Sequence, residues 1–83
     1  MNRQEIEKKV NDILVDKLGV DYSEINANTQ LKEDLNADSL DAMELIMEFE
    51  RVFEIRIPDE KINDFSSLNV SDIYNYIDEA VNE

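Results

Sequence analysis

The stretch that most constrains the fold runs from Leu40 to Phe53, where apolar residues recur at the spacing of an α-helix. At about 100° per residue, six of them fall on one broad face: Ala42, Leu45, Ile46, Phe49, Val52 and Phe53. A face of this width predicts a helix packed against the core of the protein. The same projection places three more apolar residues on nearly the opposite side, among acidic neighbours: Leu40, Met43 and Met47. A small domain can seldom bury a helix on all sides, so this second stripe is predicted to stay exposed.

The start of this helix carries its own signal. Asp38 is predicted to cap the helix, with Asp41 in the third position near the positive end of the helix dipole. Ser39 then occupies the first helical position. Its hydroxyl is expected to be exposed beside backbone N–H groups that have no partner within the helix.

The remaining segments also favour helices. The first is predicted from Asn2 and Glu5, a capping pair, to about Leu18, with Gly19 as its left-handed end. Residues 20–37 show no sustained period, and we expect a loop with one helical turn near Ser23, anchored by isolated apolar residues: Val20, Ile25, Leu31 and Leu35. After an extended connector at 54–58, Pro58 begins a short third helix with Ile62 and Phe65 inward, and Asn69 with Asp72 caps the last helix.

These segments predict an all-α fold, a small four-helix bundle with a short third helix and a long loop between helices one and two. A length of 83 residues indicates one domain, too small for an enclosed catalytic cleft. We expect a monomer. The N-terminus is followed by no apolar segment of signal-peptide or membrane-spanning length, so a cytoplasmic protein without membrane insertion is expected.

Composition narrows the function further. Twenty-one acidic against eight basic residues give a net charge of −13, which argues against nucleic acid and anionic membranes as partners and favours basic proteins or cations. Self-repulsion of this charge predicts stability that rises with salt or divalent cations. The chain has no Cys and no His, which excludes a thiol nucleophile, a thiolate metal site and the usual general base.

Ser39 allows several interpretations. As a catalytic nucleophile it lacks a base, because a carboxylate such as Asp38 is too weak to activate it unaided. As an acceptor of a phosphate or phosphodiester it is well placed, since free N–H groups and the dipole stabilise such a group at a helix N-terminus. It could also be a simple helix cap. A calcium loop fits Asp34, Asn36 and Asp38 at positions 1, 3 and 5 but fails at positions 6 and 12, so no metal site is predicted.

The run Glu33 to Asp41 (EDLNADSLD), continuing through Glu44-Leu45 to Ile57-Pro58-Asp59-Glu60, resembles the acyl carrier proteins of dissociated, bacterial-type fatty acid synthesis. The likeness extends over essentially the whole chain and implies a single acyl-carrier-like domain at 1–83. It implies a non-catalytic carrier whose Ser39 bears 4′-phosphopantetheine, transferred from coenzyme A by a phosphopantetheinyl transferase. Acyl chains would be held as thioesters on the terminal thiol, which a chain without cysteine must obtain from a cofactor.

The resemblance also implies a docking surface for the transferase and for fatty acid synthesis enzymes with basic patches. Matching positions give Asp38, Leu40, Asp41, Met43, Glu44, Met47, Glu48, Glu50 and Ile57. A growing chain would slip between the helices beside Leu45, Ile46 and Phe49. Asn36 replaces the usual glycine, which asparagine's tolerance of positive φ permits, and Arg51 stands where an acid is common.

Two alternatives stay open from the sequence. A specialised carrier for polyketide or aminoacyl units would use the same fold and the same serine. An acidic calcium-binding or adaptor module would never carry a cofactor. Mass gain on incubation with coenzyme A and a transferase distinguishes the carriers from the adaptor.

Overall fold

The computed structural model describes residues 1–62 and 65–82, without the side chain of Ile62. Five α-helices lie in this part of the chain: α1 (Arg3–Leu18), α2 (Leu31–Leu35), α3 (Ser39–Phe53), α4 (Asp59–Ile62) and α5 (Val70–Val81). Two 3₁₀ turns, Tyr22–Glu24 and Phe65–Ser67, separate them. The predicted all-α fold is confirmed. No helix within the described ranges combines the length and apolar content needed to cross a membrane.

The ends of α1 follow from local chemistry. The Asn2 side chain accepts a hydrogen bond from the backbone N–H of Glu5 at 2.8 Å, which satisfies one of the free donors of the first turn. Gly19 adopts a left-handed φ of 68° and donates its N–H to the carbonyl of Val15 at 3.0 Å. A residue with a Cβ is sterically strained at this φ, whereas glycine is not. Both predicted ends of the helix are confirmed.

The core lies where α1, α3 and α5 meet. Five of the six residues on the broad face of α3 are buried, and the sixth, Val52, is half-buried. Phe49 lies at the centre with 0% exposure, and its ring is 6.4 Å from that of Phe53 and 6.0 Å from that of Phe65. Buried residues of α1 and α5 face them: Ile6, Val10, Ile13, Leu14, Val70, Ile73, Tyr74 and Ile77. The periodicity of α3 therefore identified its packed face correctly.

The segment between α1 and α3 contains more structure than the sequence predicted. The expected helical turn near Ser23 is the 3₁₀ turn, and Leu31 and Leu35 are buried as expected. Between these two leucines, however, the chain forms α2, which was predicted as loop. A helix of five residues has one apolar repeat, too little for a periodic signal, and such short helices depend on tertiary packing.

The same segment is tied to the start of α5 by backbone hydrogen bonds. The N–H of Val70 donates to the carbonyl of Thr29 at 2.8 Å, and that of Ser71 to Ala27 at 3.0 Å. Thr29 is 4% exposed, and its hydroxyl donates to the carbonyl of Glu24 at 3.1 Å. These bonds satisfy the first amides of α5 with loop carbonyls and hold the loop against the bundle.

The predicted connector and short helix follow α3. Residues 55–58 belong to no helix or strand, and the carbonyl of Pro58 accepts from the N–H of Lys61 at 2.9 Å as α4 begins. Phe65 is 3% exposed and points inward as predicted. The predicted inward orientation of Ile62 concerns a side chain outside the described part of the structure.

Candidate functional site

The start of α3 is fixed by a reciprocal pair of hydrogen bonds. A carboxylate oxygen of Asp38 accepts from the N–H of Asp41 at 2.9 Å, and one of Asp41 accepts from the N–H of Asp38 at 3.1 Å. This is the capping arrangement that the sequence predicted, with Asp38 as cap and Asp41 in the third position. It places Ser39 at the first position of a 15-residue helix.

The turn that precedes Ser39 is fixed by the end of α2 and by the buried Ala37. Asn36 ends α2 in the left-handed region with φ 58°, as its tolerance of that region predicted. Ala37 is 1% exposed and donates its N–H to the carbonyl of Leu31 at 2.9 Å. Two residues before the exposed serine, the chain is therefore anchored in the core, which limits the positions that the serine can take.

The hydroxyl of Ser39 is exposed and accepts or donates no hydrogen bond within residues 1–62 and 65–82. In the same ranges the backbone N–H groups of Ser39 and Leu40 have no acceptor. The start of α5 differs, since its first two amides bind the carbonyls of Thr29 and Ala27. The Ser71 hydroxyl there donates to Asn69 at 2.8 Å. Of these two capped helix starts, only that of α3 leaves a serine and two amides free.

This arrangement suits a serine that receives a group rather than one that attacks a bound substrate. Among the residues that the structure describes, no base is held against the hydroxyl, and the exposed position offers no enclosed site for a substrate. A phosphodiester on the Ser39 oxygen would lie beside two free N–H donors at the positive end of a long helix dipole. The residues present thus fit a phosphate-linked group on this serine.

Asp34 and Asp38, two of the three residues that matched a calcium loop, each use a carboxylate oxygen to accept a backbone N–H. Asp34 accepts from Gln30 at 2.8 Å and Asp38 from Asp41 at 2.9 Å. In the described ranges, no group of three or more acidic side chains is arranged to hold a metal ion.

The second apolar stripe of α3 is exposed, as its spacing predicted. Leu40 is 74% exposed, Met43 44% and Met47 64%. Large apolar side chains with such exposure, aligned along one helix face, are typical of a surface that contacts other molecules. Because Leu40 follows Ser39 directly, this stripe begins at the serine.

The predicted partner-facing residues do not all lie on this surface. Asp38, Glu44 and the three stripe residues are exposed, while Asp41, Glu48 and Glu50 are half-buried. Ile57 is 3% exposed and belongs to the core, so the structure does not bring it to the surface where the resemblance placed it. The Glu50 carboxylate accepts from the backbone N–H of Ile57 at 2.8 Å and is already used within the protein. No sequence pattern predicts this bond, which joins residues seven positions apart.

Arg51 lies at the far end of the stripe and pairs with Glu48. Its Nε donates to Oε1 of Glu48 at 3.1 Å and its Nη2 to Oε2 at 2.5 Å. These hydrogen bonds lower the pKa of Glu48 and raise that of Arg51 from their ordinary values. The carboxylate of Glu48 is thus paired with a cation on the same helix.

A cavity of about 310 Å³ opens between α4, the second 3₁₀ turn and α5. It is lined by Ile57, Lys61, Phe65, Leu68, Asp72 and Tyr76. Leu45, Ile46 and Phe49, which were expected to line the path of an acyl chain, pack in the core with at most 2% exposure and do not line this cavity.

Comparison with known proteins identifies the family of the chain. A family model described as "Phosphopantetheine attachment site" matches residues 8–77. The acyl carrier protein of Akkermansia muciniphila is 44% identical over 80 residues, which cover 96% of this chain and 98% of that protein. The acyl carrier protein of Chloroherpeton thalassium is 48% identical over 77 residues, covering 93% and 94%. That of Rubrobacter xylanophilus is 52% identical over 61 residues, covering 74% and 75%.

The helical fold and the family match define a domain that bears phosphopantetheine. Such a domain is a non-catalytic carrier that other enzymes modify and use. The chain belongs to the acyl carrier protein family, as its sequence resemblance predicted.

Proposed function

We propose that Ser39 is the attachment site of 4′-phosphopantetheine and that the chain delivers acyl units to enzymes of fatty acid biosynthesis. The observation that carries the proposal is the free hydroxyl of Ser39 beside two unpaired amides at the start of α3. The thiol that holds the acyl group is supplied by the prosthetic group, since the chain has no cysteine. The fatty acid pathway is supported by the resemblance to carriers of the dissociated system.

The modification requires only an accessible hydroxyl from this chain. A partner transferase removes the hydroxyl proton, the Ser39 oxygen bonds to the phosphorus of phosphopantetheine, and the pyrophosphate bond of coenzyme A breaks with adenosine bisphosphate as the leaving group. The charge that remains on the phosphodiester lies near the free N–H groups of Ser39 and Leu40. The base and any metal ion belong to the transferase in this proposal.

Partner enzymes would approach along α3. Basic residues on a partner would meet the carboxylate of Glu44 and the oxygens of Asp38 and Asp41 that the helix cap leaves free, and its apolar groups would meet the stripe. Methionine suits this role because its flexible, polarisable side chain adapts to several surfaces. Glu48 takes part with its charge reduced by Arg51, and we assign Glu50 a structural contact in place of a docking one.

An acyl chain on the arm would enter the cavity between α4 and α5. Its walls include Ile57, Phe65 and Leu68, so an alkyl chain placed there is removed from water. Lys61 and Asp72 lie at the same cavity and contribute its polar lining. The buried position of Ile57 thereby supports a role in holding cargo.

The test is intact-protein mass spectrometry after incubation with coenzyme A and a broad-specificity phosphopantetheinyl transferase. We expect the mass of one phosphopantetheine to be added to the wild-type protein and nothing to be added to Ser39→Ala. Ser71→Ala is the matched control, because Ser71 also lies in the first turn of a capped helix but has its hydroxyl bonded to Asn69. Equal modification of Ser39→Ala, or none of the wild-type protein, would refute the assignment.

A further inference from the structure

Met43 and Met47 bring two thioether sulfurs to the exposed side of α3. The two residues lie four positions apart, so their side chains are neighbours on one face of the helix. Both are exposed, and with Leu40 they form the apolar stripe that begins at Ser39. Two of the three side chains in the stripe therefore carry a group that small solutes in the solvent can reach and oxidise.

The composition directs oxidation to these sulfurs. The chain itself has no cysteine, so its three methionines are its sulfur groups. A lone pair of the thioether attacks one oxygen of hydrogen peroxide, the O–O bond breaks, and the other oxygen leaves as water after a proton transfer. The sulfur is oxidised to a sulfoxide and the peroxide is reduced. Because hydrogen peroxide is neutral, the net charge of −13 does not repel it as it repels anionic oxidants.

Oxidation at these two positions changes the surface of α3 and leaves its packed face intact. Neither methionine belongs to the buried cluster, and Leu45, which lies between them in sequence, is buried on the other face. A sulfoxide inside a core disrupts packing, whereas an exposed one stays in water. The chemical change is therefore confined to the stripe, where two flexible apolar side chains become polar.

We propose that Met43 and Met47 are oxidation sites, at which hydrogen peroxide converts the thioethers to sulfoxides and reversibly weakens docking on α3. The inference rests on the proposed function, because it requires partner enzymes to contact the stripe when they reach Ser39. A partner that covers a sulfoxide removes its oxygen from water, and an apolar contact surface offers no donor in exchange. Methionine sulfoxide reductases regenerate the thioether, so docking recovers when the two residues are repaired.

The test uses the full chain with Ser39 unmodified, so that no cofactor thiol competes for the peroxide. After treatment with hydrogen peroxide, peptide mass mapping should find one added oxygen atom on each of Met43 and Met47. The peroxide is then removed, and initial rates are measured with coenzyme A and a broad-specificity phosphopantetheinyl transferase. We expect the KM for the carrier to rise roughly 3- to 10-fold, with kcat changed less than about 2-fold. Reductases for both sulfoxide epimers should return KM to its starting value.

A double variant, Met43→Leu with Met47→Leu, is the control, because it removes both sulfurs and keeps apolar side chains. Its remaining thioether is that of Met1, which lies beside Asn82 after α5, where the Met1 ammonium donates to the Asn82 side chain at 3.4 Å. Whatever the KM of this variant before treatment, peroxide should not change it.

Four results would overturn the inference. They are a KM that does not rise in the oxidised wild-type protein, an equal rise in the double variant, oxidation of Met1 without Met43 and Met47, and loss of the helical circular dichroism signal on oxidation. In all four cases the mass gain on Ser39 of the untreated protein still supports the carrier function. If the untreated protein gains no mass, the carrier function fails and the inference fails with it.

Discussion

Three residues end helices in the left-handed region, and they differ in what that conformation costs. Gly19 adopts it freely, with φ 68°. Asn36 and Glu54 adopt it with φ 58° and 54°, although each has a Cβ. Asparagine visits this region more readily than most residues, whereas glutamate has no such advantage. At the site, Asn36 therefore provides the turn that leads through the buried Ala37 to Ser39.

For Asn36→Ala we predict a loss of about 1 kcal/mol in the free energy of unfolding, because alanine is more strained than asparagine at positive φ. Asn36→Gly should change stability by less than about half of that, since glycine fits the turn but gains freedom in the unfolded chain. Urea denaturation measures both values. Asn28→Ala is the control, being an exposed asparagine of the same loop without positive φ. Equal losses in Asn36→Ala and Asn28→Ala would contradict this account of the turn.

At the level of the element, α3 has two faces with separate tasks. One face packs Leu45, Ile46 and Phe49 into the core, and the other exposes the stripe. The acidic residues beside the stripe are also not equivalent. Glu44 is exposed and makes no hydrogen bond with the described residues, while Glu50 binds the backbone of Ile57 and fixes the connector to α4. A charged side chain of α3 can thus serve as a structural contact.

Glu50→Ala is predicted to lower the free energy of unfolding by about 1 kcal/mol, since it leaves the N–H of Ile57 without its acceptor. Hydrogen exchange at the Ile57 amide should become faster, because the connector between α3 and α4 loses its tie to α3. Glu44→Ala is the matched control, with the same change of residue on the same helix and no bond lost. If the two variants are equally stable and exchange at Ile57 is unchanged, the hydrogen bond is not a significant restraint.

On the scale of the whole molecule, a net charge of −13 is confined to a body of 30 × 27 × 19 Å. Among the basic residues, Arg3 joins two elements. Arg3 donates to Asp78 at 3.0 Å and to Asn75 at 2.8 Å, and its guanidinium lies 5.7 Å from the centre of the Tyr74 ring. This cluster fastens the start of α1 to α5. The remaining acidic charge repels itself across the molecule.

We predict that the melting temperature rises by several degrees between about 10 and 150 mM sodium chloride, where the Debye length falls from roughly 30 to 8 Å. At the lower salt concentration the repulsion spans the whole molecule. Millimolar magnesium should give a similar increase, and thermal unfolding followed by circular dichroism measures both. Tetramethylammonium chloride is the control for screening without coordination. An unchanged melting temperature would contradict the prediction, and an increase with magnesium alone would indicate binding of the ion.

Much of the fold could be read from local patterns. The caps at Asn2, Asp38 and Asn69 are hydrogen bonds within one helical turn, so residue type and spacing suffice to predict them. The position of Ser39 at the start of α3 follows from the same logic. Its modification was predicted partly by elimination, since the chain lacks histidine and cysteine. The resemblance then added the identity of the group.

What the sequence could not predict depends on residues distant along the chain. The formation of α2, the burial of Thr29 and the bonds from the loop to α5 all require Leu68, Val70 and their neighbours to be in place. The position of Ile57 was also not predictable from the sequence. The family motif suggested that Ile57 contacts partners at the surface, but in the structure it is buried and lines the cavity.

The sequence by itself determined α1, α3, α4 and α5, the caps at Asn2, Asp38 and Asn69, the exposed stripe and the serine at its start, because these depend on neighbours within a turn or two. Only the tertiary structure decided which acidic residues of α3 remain free, where a cavity opens, and that the first amides of α5 are occupied while those of α3 are not. These features arise when distant segments meet and compete for the same backbone groups and the same buried space.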